Sequence, residues 1–149
     1  MNMEFNIRKA TLIDVPLIWE IGKNVSGFET AEDIVTFWPE SILEDCIDKD
    51  DVLILVLEVD NSIVGFTIVN INNSFKKAEL ENIYVLPEIR HKGYGKALLQ
   101  RAINELSVMG IENIVAMSDD AVDFLIRNGF TKGNQFYWMD LALSDRFKK

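Results

Sequence analysis

A chain of 149 residues fits one folded domain and can bury a sizeable core without staples. Hydrophobic residues are 48% and charged residues 26%, which excludes a disordered chain, and the lone Cys46 excludes an intramolecular disulfide or a cysteine-rich metal centre. The net charge of −9 argues against general nucleic-acid binding, which needs a basic surface, and is compatible with a cationic substrate.

The start, Met1 to Asn6, has neither the basic segment nor the apolar core of a signal peptide. The longest apolar run, Val52 to Leu57, falls far short of the roughly 20 residues that span a bilayer. The expectation is a soluble, cytoplasmic protein with no membrane partner. Phe5 to Ala10 alternates apolar and polar residues and predicts a first strand. Thr11 or Asp14 can cap a helix carrying Val15, Ile18, Trp19 and Gly22, with Pro16 tolerated in its first turn. A second helical region is predicted through Ile34, Val35, Phe37 and Trp38, restarting at Pro39 through Ile42, Leu43, Cys46 and Ile47. The aromatic residues here read mainly as packing, with Glu29, Glu32 or Asp33 available to attract a cationic amine.

Val52 to Leu57 is continuously apolar, as a strand covered on both faces would be. Asp60-Asn61-Ser62 turns it into a hairpin with Ile63 to Val69, and Asn72-Asn73-Ser74 turns that into a strand from Ala78 to Val85. Leu98, Leu99, Ala102, Leu106 and Met109 form a helical stripe that Gly110 ends. Ile114 to Met117 reads as a short buried strand, parallel to its predecessor if the crossover is right-handed. Asp119 or Asp120 can cap a last helix through Ile126, ended by Asn128-Gly129. Phe130 begins the final sheet segment, and Gln135 to Leu143 reads as a closing strand. The fold class is therefore mixed α/β: one domain over 1–149, with a mostly antiparallel sheet flanked by helices.

The stretch from Ile83 to Leu99 carries the chemistry. A strand ends before Pro87, and a basic loop with Gly93 and Gly95 leads into a helix. A helix start leaves about four N–H groups without internal partners and carries partial positive charge. The glycines let backbone approach a ligand, and Arg90, His91, Lys92 and Lys96 add cationic or potentially cationic groups, a setting for phosphate or pyrophosphate. Leu98 stands where a dinucleotide fingerprint needs a third glycine, and Ala97 follows Lys96 where a P-loop needs Ser or Thr.

Arg90-x-x-Gly93-x-Gly95 resembles the coenzyme A pyrophosphate motif Q/R-x-x-G-x-G/A of the GNAT superfamily of N-acetyltransferases. Ala121 to Phe130 resembles that family's second motif, A-x-x-F-Y-x-x-x-G-F, and the order of elements is similar along nearly the whole chain. The resemblance implies acetyl-CoA as cosubstrate, bound where two strands splay. Ile83, Tyr84 and Val85 would offer main-chain contacts to pantetheine, and the amides of His91, Lys92, Gly93, Tyr94, Gly95 and Lys96 would cradle the pyrophosphate behind Arg90. Ser118 and Phe124 stand at further cofactor-side positions. Ser118 replaces an asparagine often found in the family.

The acceptor would be a small-molecule or peptide amine attacking the thioester directly. An alkylamine of pKa near 10 must lose a proton first, so a base is needed. Glu81 resembles the strand glutamate that serves some family members, and Glu79 shares its strand face if no bulge intervenes. The family's tyrosine acid falls at Leu125, which leaves the general acid unassigned among Tyr137, Tyr84, Tyr94 and water. That departure keeps open an alternative, an acyl-CoA-binding module of the same fold with little activity. A second alternative is an unrelated phosphate or nucleotide binder using the same loop. His91 reads as a phosphate neighbour or surface residue, no metal is expected, and a homodimer would fit the family.

Overall fold

The longest apolar run becomes a strand inside the sheet. In the computed structural model, which describes residues 4–118 and 120–149, it is β2, Val52–Val59. β1 is Phe5–Lys9, β3 Ser62–Asn72, β4 Lys77–Val85 and β5 Asn113–Ala116. They form one sheet in the order β1-β2-β3-β4-β5, antiparallel throughout except for the parallel pair β4–β5. Asp60 and Asn61 both take positive φ, 50° and 66°, which matches the right-handed twist of the β2–β3 hairpin.

Both faces of the sheet are covered, as the unbroken apolarity of β2 requires. Leu53, Leu55 and Leu57 join Leu98, Leu99, Ala102 and Leu106 of helix α3 (Tyr94–Val108) in one core. Ile54 and Val56 join Val15 and Ile18 of α1 (Val15–Gly22) and Leu43 of α2 (Glu40–Cys46) in the other. Gly22 makes room for Phe37: a Cβ there would lie 2.0 Å from the ring's Cζ. Gly110, at φ +84°, ends α3 after Met109. Near the entry to α1, Arg8 holds Asp14 at 2.6 Å and pairs with Glu58, and the Thr11 N–H donates to the same Asp14 carboxylate at 2.8 Å. The guanidinium keeps the Asp14 carboxyl below its ordinary range.

Three expectations fail. Residues 31–39 are not helical: Ile34, Val35 and Thr36 are β-branched, and Val35 N–H donates to the Phe147 carbonyl while Lys149 N–H donates to that of Asp33. The chain's end thus takes backbone bonds that a helix would have kept inside. The closing strand over Gln135 to Leu143, and any sheet segment from Phe130, is not formed. Phe136, Tyr137, Met139 and Leu141 stand exposed, and the sheet stops at β5. Asp120 does not cap the last helix, α4 (Val122–Arg127), because the Ser118 hydroxyl accepts the Ala121 N–H at 2.9 Å. The alternative cap, Asp119, lies outside the described residues.

Candidate active site

β4 is paired differently along its length. Lys77 to Leu80 has β3 on one side and Asn113 to Ala116 of β5 on the other. From Glu81 to Val85 only β3 remains. The Leu86 N–H donates to the Val64 carbonyl at 2.9 Å, so Val85 and Gly65 form a non-hydrogen-bonded pair. By alternation the N–H and C=O of Val85 and Ile83 point to the open side, whereas those of Tyr84 point at Phe66 of β3. The expected trio of main-chain groups is thus divided: two strand residues face the opening and Tyr84 does not. Arg90 folds back here. Its Nε donates to the Val85 carbonyl at 2.7 Å and its guanidinium lies 5.1 Å from the centre of the Tyr84 ring.

The loop after β4 bends through two left-handed residues, His91 at φ 64° and Gly93 at φ 87°. Gly93 is free to do so without a Cβ, and His91 bears a cost of about 1 kcal/mol. The loop delivers the chain to Tyr94, the first residue of α3. Ala97 N–H is used by the Gly93 carbonyl at 3.0 Å, leaving the first-turn N–H groups of Tyr94, Gly95 and Lys96 to point outward. His91, Lys92 and Lys96 are exposed, and no described carboxylate pairs with either lysine. Phe124 rests on the start of this helix. A Cβ on Gly95 would sit 3.5 Å from its ring. Leu125 is buried in the α3-side core.

On the opposite face of the sheet, β4 carries a bulge. Ile68 pairs with Asn82 and Val69 with Leu80, so Glu81 is the extra residue. The bulge flips the alternation: Ala78 and Leu80 join the α3-side core, and after it Val85 does so, while Tyr84 packs with the other core. Glu81 is aimed by the insertion rather than by simple alternation, so the condition for a regular face shared with Glu79, an unbulged strand, is not met. The two carboxyl groups nevertheless meet. Burial pushes the Glu81 carboxyl above its ordinary range; a hydrogen bond from Asn70 pulls it back, and the charge of Glu79 pushes it up again. Asn70 Nδ2 donates to Glu81 Oε1 at 2.8 Å.

Next to it Asn82, only 8% exposed, accepts from Trp38 Nε1 at 2.9 Å, and its backbone carbonyl accepts from Thr67 Oγ1 at 2.8 Å. Phe28, Phe37, Phe66 and Tyr84 pack as an aromatic cluster on this side, with centroids 5.8–6.4 Å apart. Asn70 and Asn82 are not among the residues that motif or spacing singles out. The available signal was an asparagine inside each apolar strand, where its side chain is a poor fit unless bonded. Two concavities, about 220 Å³ beside Cys46 and about 400 Å³ between Ile7 and Ala97, have no β4 residue in their walls. The site is an opened strand edge.

A strand with one free edge, a bent glycine loop and a helix start follow one another here, with unused backbone donors at the strand edge and at the helix start. The family model for the acetyltransferase (GNAT) family matches residues 19–130, which include all of it. The chain belongs to the GNAT family. It is an acetyl-CoA-dependent N-acetyltransferase with a mixed α/β, mostly antiparallel sheet.

Among relatives of this GNAT chain, the spermidine N(1)-acetyltransferase of Thermoplasma acidophilum is 27% identical over 90% of this chain and 95% of its own. An aminoglycoside acetyltransferase from an uncultured soil metagenomic sample shares the fold with a TM-score of 0.72 at 17% identity, over 94% of this chain and 97% of the other. The N-acetylglutamate synthase of Neisseria gonorrhoeae, complexed with coenzyme A, gives 0.75 at 22% identity over 90% of this chain and 30% of the other. No described helix is long and apolar enough to cross a membrane.

Coenzyme A fits what this GNAT chain offers. The free edge at Ile83 and Val85 suits an amide-bearing arm, and the Tyr94–Lys96 donors with Lys92 and Lys96 nearby suit a pyrophosphate.

Proposed function

We propose that this GNAT enzyme acetylates the primary amine of a cationic small molecule or peptide by direct attack, with Glu81 as general base. Glu81 at the bulge carries this reading. It lies beside the open edge of β4, and its environment moves its proton affinity from the ordinary carboxylate range toward neutrality, where a base works best. Bound acetyl-CoA supplies an activated acetyl thioester whose thiol, of pKa about 8.5, leaves without strong acid assistance. That matters because Leu125 is buried and offers no proton.

The chain's own groups divide the remaining work. Ile83 and Val85 orient the arm by main-chain bonds. The loop and helix start, from Arg90 to Lys96, hold the phosphates, while Phe124 keeps the helix start in place and Ser118 fixes the approach to α4. Glu79 and Glu81 draw a protonated amine toward the sheet, and Glu81 takes its proton. A cationic acceptor is supported by the chain's net charge of −9 and by relatives named for spermidine and aminoglycosides, which are polyamines in the chemical sense.

Thioester consumption across spermidine, an aminoglycoside, amino acids and a peptide amine tests the acceptor class. Turnover with the polycations above the neutral and zwitterionic amines is expected. A preference for zwitterionic amino acids would overturn it.

A further inference from the structure

The bulge does more than turn Glu81 toward the acceptor face: it sets Glu81 against one particular amide. From the register Asn70 of β3 lies opposite Glu79, and Glu81, inserted between the Val69–Leu80 and Ile68–Asn82 pairs, is reached from Asn70 on the diagonal. Asn70 is thus paired with Glu79 across the strands and donates through Nδ2 to Oε1 of Glu81 at 2.8 Å. A hydrogen bond to one carboxylate oxygen fixes the plane of the group and favours its charged form. The two neighbours act with opposite sign. The Asn70 N–H makes Glu81 easier to ionise, whereas the Glu79 charge makes it harder. β5 contributes Val115 in register with Glu79, which carries no charge. Among the described residues Glu79 is the one titratable group that acts on Glu81.

We infer that Asn70 is a positioning residue for the acetyl transfer, holding the Glu81 carboxylate in its working orientation and tuning, against Glu79, the pH at which it accepts a proton. This rests on Glu81 being the base, and the test separates the two claims.

The Glu81 side-chain carboxyl carbon is titrated by NMR in the unliganded wild type, Asn70→Leu and Glu79→Gln, with Glu81→Gln to assign the signal. The acid limb of kcat/KM is measured on the same proteins. Asn70→Leu should move both midpoints to higher pH by about one unit, a tenfold loss of turnover on the acid side, as expected for one hydrogen bond to a charged group. Glu79→Gln should move both to lower pH. A merely structural role for either residue would lower activity at every pH and leave the midpoint in place. Shifts of the same sign in both variants, or none in Asn70→Leu, overturn the inference. If Asn70→Leu fails to melt cooperatively, Asn70→Ser, which keeps a short hydroxyl donor on the strand, must give a smaller upward shift than Asn70→Ala. Equal shifts overturn it. If Glu81→Gln turns over like wild type, the base assignment falls, whatever Asn70 does to the titration.

Discussion

The two halves of β4 belong to one unbroken strand and are paired differently. Lys77 to Leu80 is paired on both sides and buries Ala78 and Leu80 against α3, so its backbone is fully spent on the fold. Glu81 to Val85 is paired on one side only and carries the bulge, and its unpaired backbone groups face the open side. In the proposed function the site comes from withheld pairing: the same strand stabilises the sheet where β5 accompanies it and would bind the coenzyme arm where β5 leaves. Main-chain groups that hold the sheet together and main-chain groups left for a ligand should therefore separate along a nine-residue strand.

The largest expected effect breaks the open half. Glu81→Gln should lower kcat by about a hundredfold or more, the usual contribution of a positioned base, with coenzyme A affinity retained by calorimetry. Its stability should go the other way. A carboxyl whose pKa is raised on folding keeps its proton longer than in the unfolded chain. Stability is therefore lost as pH climbs from the ordinary value of 4.5 through the folded one. Glutamine removes that loss, so the variant should melt no lower than wild type at pH 7. Early melting would mean that Glu81 supports the fold.

Leu80→Ala is the counterpart in the paired half. Leu80 is 5% exposed, and truncation should cost about 2–5 kcal/mol in chemical denaturation, with KM for acetyl-CoA unchanged at a temperature where the protein is folded. A smaller effect comes from the loop. At Gly93 an added Cβ meets nothing within 4 Å, so Gly93→Ala feels only the left-handed backbone, about 1 kcal/mol, and should weaken coenzyme A binding by shifting the helix-start amides. Gly95→Ala gains an ordinary contact with Phe124 and should leave stability nearly untouched while crowding the cofactor side.

A further effect, on stability alone, belongs to neither half. Asp14, held below its ordinary carboxyl range by Arg8, stabilises the fold above pH about 3.8, and that contribution fades as pH falls through the folded value. Asp14→Asn should cost about 1 kcal/mol at pH 7 and progressively less below pH 4, with kcat unchanged.

Much of this was legible before folding. Val52 to Leu57 carried its two-sided burial in its unbroken apolarity, Asp60-Asn61 announced its turn, and Arg90, Gly93 and Gly95 announced the loop. Glu81 could be singled out by its resemblance to the strand glutamate of some family members. The bulge that aims it leaves only a change of phase, from Ala78 and Leu80 to Ile83 and Val85, and which residue is inserted is a relation between two strands. Asn70 was hidden for the same reason, eleven positions away in the chain and adjacent across the sheet. The segment around Ile34 misled because apolar spacing is shared by helices and by extended segments pinned from outside, here by Phe147 and Lys149. Gln135 to Leu143 misled because apolar alternation makes a strand only when an edge accepts it, and this chain's tail bonds to residues 33–35 instead.

Residue-resolved amide exchange with and without acetyl-CoA tests the divided strand most directly. The Ile83 and Val85 amides, turned to the open side, should slow markedly on saturation, while Tyr84, already bonded to β3, should change little. Uniform protection of all three, or none at Ile83 and Val85 while calorimetry shows the coenzyme bound, would contradict the division of β4.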